Sequence, residues 1–192
     1  MRFLALLVFV LFTSVSYAQE TNRYSIEIDL QDQLAYLIDD GQVVLTTPIS
    51  SGRAGHFTDR GAFKIIEKER NHFSNMYGRI VDARGNTVVS DADSDMTVPA
   101  GGKFIPAPMR YFMRFNGAIG MHAGVLPGYA ASHGCVRLPE ANAIELFETV
   151  PVGTPVTVFG TTPRGRTSRG SDYSMRQRPG INPRFAQPTW WR

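Results

Sequence analysis

Cysteine is almost missing from this sequence: Cys135 stands alone among 192 residues, which excludes a disulfide within the chain. Long apolar runs are missing too. The run at residues 3–12 is about half of the roughly 20 residues a membrane-spanning helix needs. There is no Cys-x-x-Cys pair and no usual zinc spacing, so His122, His133 and Cys135 are not expected to hold a metal although their types suit zinc. Asp91, Asp93 and Asp95 alternate, but the glycine and the bidentate glutamate of a calcium loop do not follow, and the run reads as a solvated loop. No cofactor or metal is expected.

Basic charge is scarce outside one segment. The formal net charge is +3, yet residues 161–192 hold seven Arg against one Asp, and residues 1–18 hold only Arg2. Residues 19–160 therefore stand at −4, a mildly acidic body with a basic tail. Such a split gives no reason to expect nucleic acid as a partner. Residues 1–18 combine a basic start, an apolar stretch and small residues at Ser16 and Ala18. This pattern predicts a signal peptide cleaved after Ala18 and an exported protein with no transmembrane anchor thereafter. The tail, residues 161–192, has scattered Pro, Gly and Arg and no apolar periodicity, which predicts disorder. Its charge and its terminal Trp190 and Trp191 fit either a tether to an anionic wall or membrane surface, or a tail without a partner.

Between these ends, residues 19–160 read as one mostly-β domain. Tyr24, Ile26, Ile28 and Leu30 alternate with polar residues, as in a half-buried strand. Further strands are predicted at 34–38, 42–50, 62–68 and 154–159, with hairpins turning at 39–41 and within 81–89. A glycine-rich loop occupies 51–61, and the polar, aromatic-bearing stretch 70–77 gives no clear period. As a strand, 104–115 sets Arg110, Phe112 and Arg114 on one face and Met109, Tyr111, Met113 and Phe115 on the other. That is either a core strand with solvated arginines or a substrate-binding wall that includes Met109 and Tyr111. Residues 139–149 form the one good helix candidate, with Pro139 in its first position and Ala143, Ile144, Phe147 and Val150 as its apolar stripe.

The chemistry gathers at residues 121–139, which contain the cysteine, two of the four histidines and several glycines. A thiol near its ordinary pKa of about 8.5 is only slightly ionised at neutral pH, so a nucleophilic Cys135 needs a base. His133 lies two residues away, and alternation along an extended chain separates the side chains by roughly 7 Å. His122 is farther in sequence, but a strand-loop-strand return brings it opposite the sulfur. Backbone amides at Gly134 and Cys135 are candidates for an oxyanion hole.

Ser132-His133-Gly134-Cys135, preceded by the separate His122, resembles the signature of the L,D-transpeptidase (YkuD) catalytic domain. Further matches are Ser51-Gly52, Arg60-Gly61-Ala62-Phe63 and Ala107-Pro108-Met109. The resemblance implies a β-sandwich or barrel-like fold with one or two short helices, and action on peptidoglycan stem peptides. It implies that Cys135 attacks an L-centre carbonyl and forms a thioester, which a second amine resolves. His122 is then the base, the Ala123 backbone carbonyl orients its ring, and Ser132, His133 and Gly134 shape the acyl site. Many members carry Asn where this chain has Arg137, which either contacts a stem carboxylate or braces the loop. Water as acceptor makes the same thioester a carboxypeptidase or endopeptidase intermediate; a wall-binding protein has no need of Cys135 and His122.

Overall fold

The computed structural model describes residues 22–163. The signal-peptide and tail expectations therefore lie outside the described residues.

Ten strands form two five-stranded sheets. β1 (Tyr24–Asp29), β2 (Leu34–Asp39) and β3 (Gln42–Pro48) come first, joined by turns at which Gln33, Asp40 and Gly41 take positive φ. β4 (Gly61–Lys64) and β5 (Glu67–Val81) follow, then β6 (Thr87–Asp93), β7 (Lys103–Asn116), β8 (Ile119–Ala123) and β9 (Val136–Leu138). The helix α1 (Glu140–Thr149) precedes the closing β10 (Pro155–Phe159). One sheet has the order β3-β2-β1-β10-β4 and the other β6-β5-β7-β8-β9. Each contains one parallel pair, β1 with β10 and β8 with β9.

The alternation in β1 does what its sequence predicts. Ile26 and Ile28 are fully buried and join Ala35, Leu37, Val156 and Val158 in the core, facing Met113, Met121, Val136 and Leu138 of the second sheet. The fold is thus a β-sandwich whose helix packs Ala143, Leu146 and Val150 into the same core.

Three local readings are corrected. Residues 70–77 lie inside β5, a 15-residue strand. Its exposed edge and its polar residues mask the period, because much of it turns neither face to the core. Asp91 and Asp93 belong to β6, not to a loop. Pro139 is the N-cap of α1 rather than its first residue, and the Ala143 amide donates to its carbonyl. At the other end Lys68 Nζ donates to the Val150 carbonyl at 2.7 Å, so β5 ties off the helix.

Candidate active site

The parallel pairing of β8 and β9 builds the centre. Met121 stands opposite Val136, and His122 opposite Arg137. Met121 and Val136 are fully buried in the core, so His122 and Arg137, one residue out of phase, point to the outer face. Cys135 precedes β9 on that face, where the Gly120 amide favours its thiolate. Sγ lies 4.0 Å from the Ala118 carbonyl. Strands are about 4.8 Å apart, so thiol and imidazole are diagonal neighbours on one surface.

His122 is 6% exposed and its Nδ1 lies 2.8 Å from the Ala123 carbonyl. A carbonyl only accepts, so Nδ1 carries the proton and Nε2 holds a lone pair. Burial pushes the His122 pKa down to about 4; the Ala123 carbonyl opposes this, and Arg137 and His72 add to it. Burial likewise pushes the Cys135 pKa up, against the pull of the Gly120 amide, Arg137 and Arg114. At neutral pH the pair is an uncharged thiol beside an uncharged base.

Phe112 forms the floor. It is fully buried, His72 stacks on it with centroids 4.3 Å apart, and the Arg114 guanidinium lies 5.2 Å from its centroid. The His122 ring is 6.4 Å away. Tyr111, by contrast, has φ 56° and is 8% exposed within the core, 5.7 Å from the ring of Phe147 on α1. Tyr111, Met113 and Phe115 lie together in the core while Phe112 and Arg114 share the other face, the arrangement of a core strand. Arg110 pairs with Glu140 of α1 at 3.2 Å and Arg114 with Glu67 at 2.6 Å. Met109 is half-buried opposite His72 in the β5–β7 ladder.

The turn leading into Cys135 is held from several directions. Ser132 Oγ donates to the Cys135 carbonyl and accepts the Gly134 N–H at 3.1 Å. This takes the Gly134 amide out of the expected oxyanion hole and leaves that of Cys135. Gly134 has φ 118°, which favours glycine. Thr58 Oγ1 accepts from the Gly52 amide at 2.9 Å and donates to the Gly134 carbonyl at 2.7 Å, so the glycine-rich loop braces the turn. His133 does not face the sulfur as a free base: its Nε2 is 2.8 Å from Arg53 Nη2 and 3.3 Å from Asp91 Oδ1. Tyr77 stacks on its ring at 4.1 Å, and His56 meets it edge-on at 4.8 Å. Arg137 is half-buried, with its stem against Gly124. No ion pair braces it among the described residues, and burial lowers its pKa.

Arg53, Thr58 and Gly120 were not singled out from the sequence, and Asp91 and Phe112 were read only as a loop residue and a strand residue. They reach the site from separate loops and strands, so no local pattern announces them, although the glycine-rich 51–61 loop pointed to its own region.

The two mixed sheets thus bring a half-buried thiol and a buried uncharged imidazole to one surface, the pair of groups that a cysteine nucleophile needs. The L,D-transpeptidase catalytic domain, YkuD, matches residues 23–158, and the chain belongs to that family. It is similar to the probable L,D-transpeptidase ErfK/SrfK of Salmonella typhimurium, with 28% identity over 149 residues, which are 73% of this chain and 45% of that protein. The Escherichia coli protein of that name matches equally, so the chain spans about half the length of these curated relatives. Among solved structures, an L,D-transpeptidase from Mycobacterium smegmatis superposes with a TM-score of 0.55 and 26% identity, over 72% of this chain and 59% of that one. The catalytic domain of the Enterococcus faecium enzyme gives 0.52 and 28%, over 73% and 99%.

Proposed function

We propose that this protein is an exported L,D-transpeptidase acting on peptidoglycan tetrapeptide stems through a Cys135 thioester. The observation that carries the reading is the β8–β9 pairing, which sets Cys135 and the Ala123-tethered His122 on one face. His122 Nε2 takes the thiol proton as Sγ attacks the L-centre carbonyl. The Cys135 amide supports the developing oxyanion. When the C–N bond breaks, His122 returns the proton to the departing amine of the terminal D-residue, leaving the thioester. The acceptor amine, from a second stem or a protein, then attacks and gives its proton to His122; the C–S bond breaks and the thiol is restored. Arg137, half-buried without an ion pair among the described residues, suits a stem carboxylate.

Export follows from the predicted signal peptide, and periplasmic, wall-associated action follows from export. Among the described residues no helix is long and apolar enough to cross a membrane. The +6 charge of residues 161–192 supports attraction to an anionic wall or membrane surface.

The test is muropeptide analysis of tetrapeptide-bearing sacculi after incubation with the protein or its Cys135→Ser variant. New cross-links from the wild type alone are expected. Tripeptides without cross-links instead identify water as the acceptor, and unchanged muropeptides with retained sacculus binding identify a binding protein.

A further inference from the structure

On the turn that leads into Cys135, Arg53 bridges the His133 ring and one carboxylate of the protein itself. Arg53 Nη1 lies 3.0 Å from Asp91 Oδ2, and Arg53 Nη2 lies 2.8 Å from His133 Nε2. The guanidinium donates to the imidazole, so Nε2 must be unprotonated there. Its 3.3 Å approach to Asp91 then brings no hydrogen bond, and Arg53 alone holds the carboxylate. The Asp91 side chain is 57% exposed, and ion pairs so open to water are weak.

Asp91 comes to this position by a break in its strand. In the β5–β6 ladder Gly78 pairs with Ala92 and Ile80 with Val89, so Ser90 and Asp91 stand opposite Arg79 alone. Such bulges re-aim a side chain next to active sites. β6 is also the edge of its sheet, so the carboxylate can swing out without disturbing a neighbouring strand. On the other side Arg137 projects from β9 on the Cys135 face, close enough to feel both Asp91 and Arg53, and has no ion pair of its own among the described residues. One carboxylate, held loosely by Arg53 alone, thus lies in the field of both guanidiniums. The site is one anion short.

We propose that Arg53 and Arg137 form a carboxylate-binding subsite for the donor peptide, which Asp91 occupies at rest and an incoming substrate carboxylate takes over. The inference rests on the stem-peptide reading and sharpens it. The donor is recognised by a free carboxylate near the scissile bond, and Arg53 is a specificity residue that the signature Ser-His-Gly-Cys does not contain.

Calorimetry on the full chain carrying Cys135→Ser measures this without turnover. The probes are a tetrapeptide stem with a free C-terminal carboxylate and the same peptide as its C-terminal amide. Asp91→Asn is expected to tighten the acid by about 2- to 5-fold and to leave the amide unchanged. Arg53→Gln is expected to weaken the acid by about tenfold or more and to remove the acid–amide difference, with Arg53→Lys restoring part of it. Melting temperatures of the variants check that each remains folded. The subsite is overturned if Asp91→Asn weakens both peptides, which would make Asp91 a clamp on His133, or if it leaves the acid unchanged. It is also overturned if Arg53→Gln weakens acid and amide alike. In those cases an acyl adduct formed on wild-type Cys135 leaves the stem-peptide reading standing. If neither peptide binds any variant and no adduct forms, that reading fails and the subsite falls with it.

Discussion

A buried imidazole whose Nδ1 proton is committed to a backbone carbonyl can act only through Nε2, and only while uncharged. His122 is in that condition, and burial accounts for both halves of it. The base is competent above its pKa, which burial has pushed down to about 4. The acid limb of kcat/KM is therefore expected near that value. The rate should stay nearly flat from pH 6 to 8 instead of falling through the ordinary histidine range near 6.5. A pH–rate profile with a stem peptide checks this; an inflection at 6 to 7 would point to a His122 far more solvated than the one described. The residue-scale chemistry was legible where it is local. Cys135, Ser132 and Gly134 sit in one run, and the shared parity of β8 and β9 brings in His122. Arg53 was not legible: it meets His133 across 80 positions of sequence, and only the folded loop joins them.

Among the elements, β8 carries a tight constraint next to the thiol. A methyl group on Gly120 would meet Phe112 Cε2 at 2.5 Å and the Met113 carbonyl at 2.7 Å. Phe112 is itself fully buried under His72 and cannot swing away. Gly120→Ala is therefore expected to cost about 1–3 kcal/mol by overpacking, read as a lowered urea midpoint. It should also lower activity, because relieving the clash shifts β8, the strand that carries His122. β1 was readable from period alone, whereas the stripe expected on α1 left out Leu146, which is fully buried while Ile144 and Phe147 are only partly so. β5 was not readable in this way, because most of its length lies outside the core and its alternation carries no burial signal. In β7 the period-2 reading held, with Tyr111, Met113 and Phe115 together in the core although Tyr111 is left-handed.

Across the whole molecule, the neutral burial of His122 links folding to pH. Its folded pKa of about 4 lies below the unfolded value of 6.5, so between these values the unfolded chain binds more protons. Stability from this group is full above pH 6.5 and is lost as pH falls toward 4, on the order of 3 kcal/mol in all. Urea denaturation at pH 7 and pH 4.5 should show that loss, and His122→Phe should reduce it. A mostly-β domain was foreseeable from many short alternating strands and a single helix, and the sandwich from the family resemblance. The full pairing order was not, since the parallel closure of β1 on β10 joins the two ends of the domain.

The central claim is that Cys135 becomes acylated with His122 as its base. Intact-mass spectrometry of the full chain with a tetrapeptide stem tests it most directly. An adduct of the acyl tripeptide on Cys135 is expected, with release of the terminal D-residue. No adduct is expected in Cys135→Ala and a slowed one in His122→Ala. Release of that residue by Cys135→Ala at the wild-type rate would contradict this chemistry.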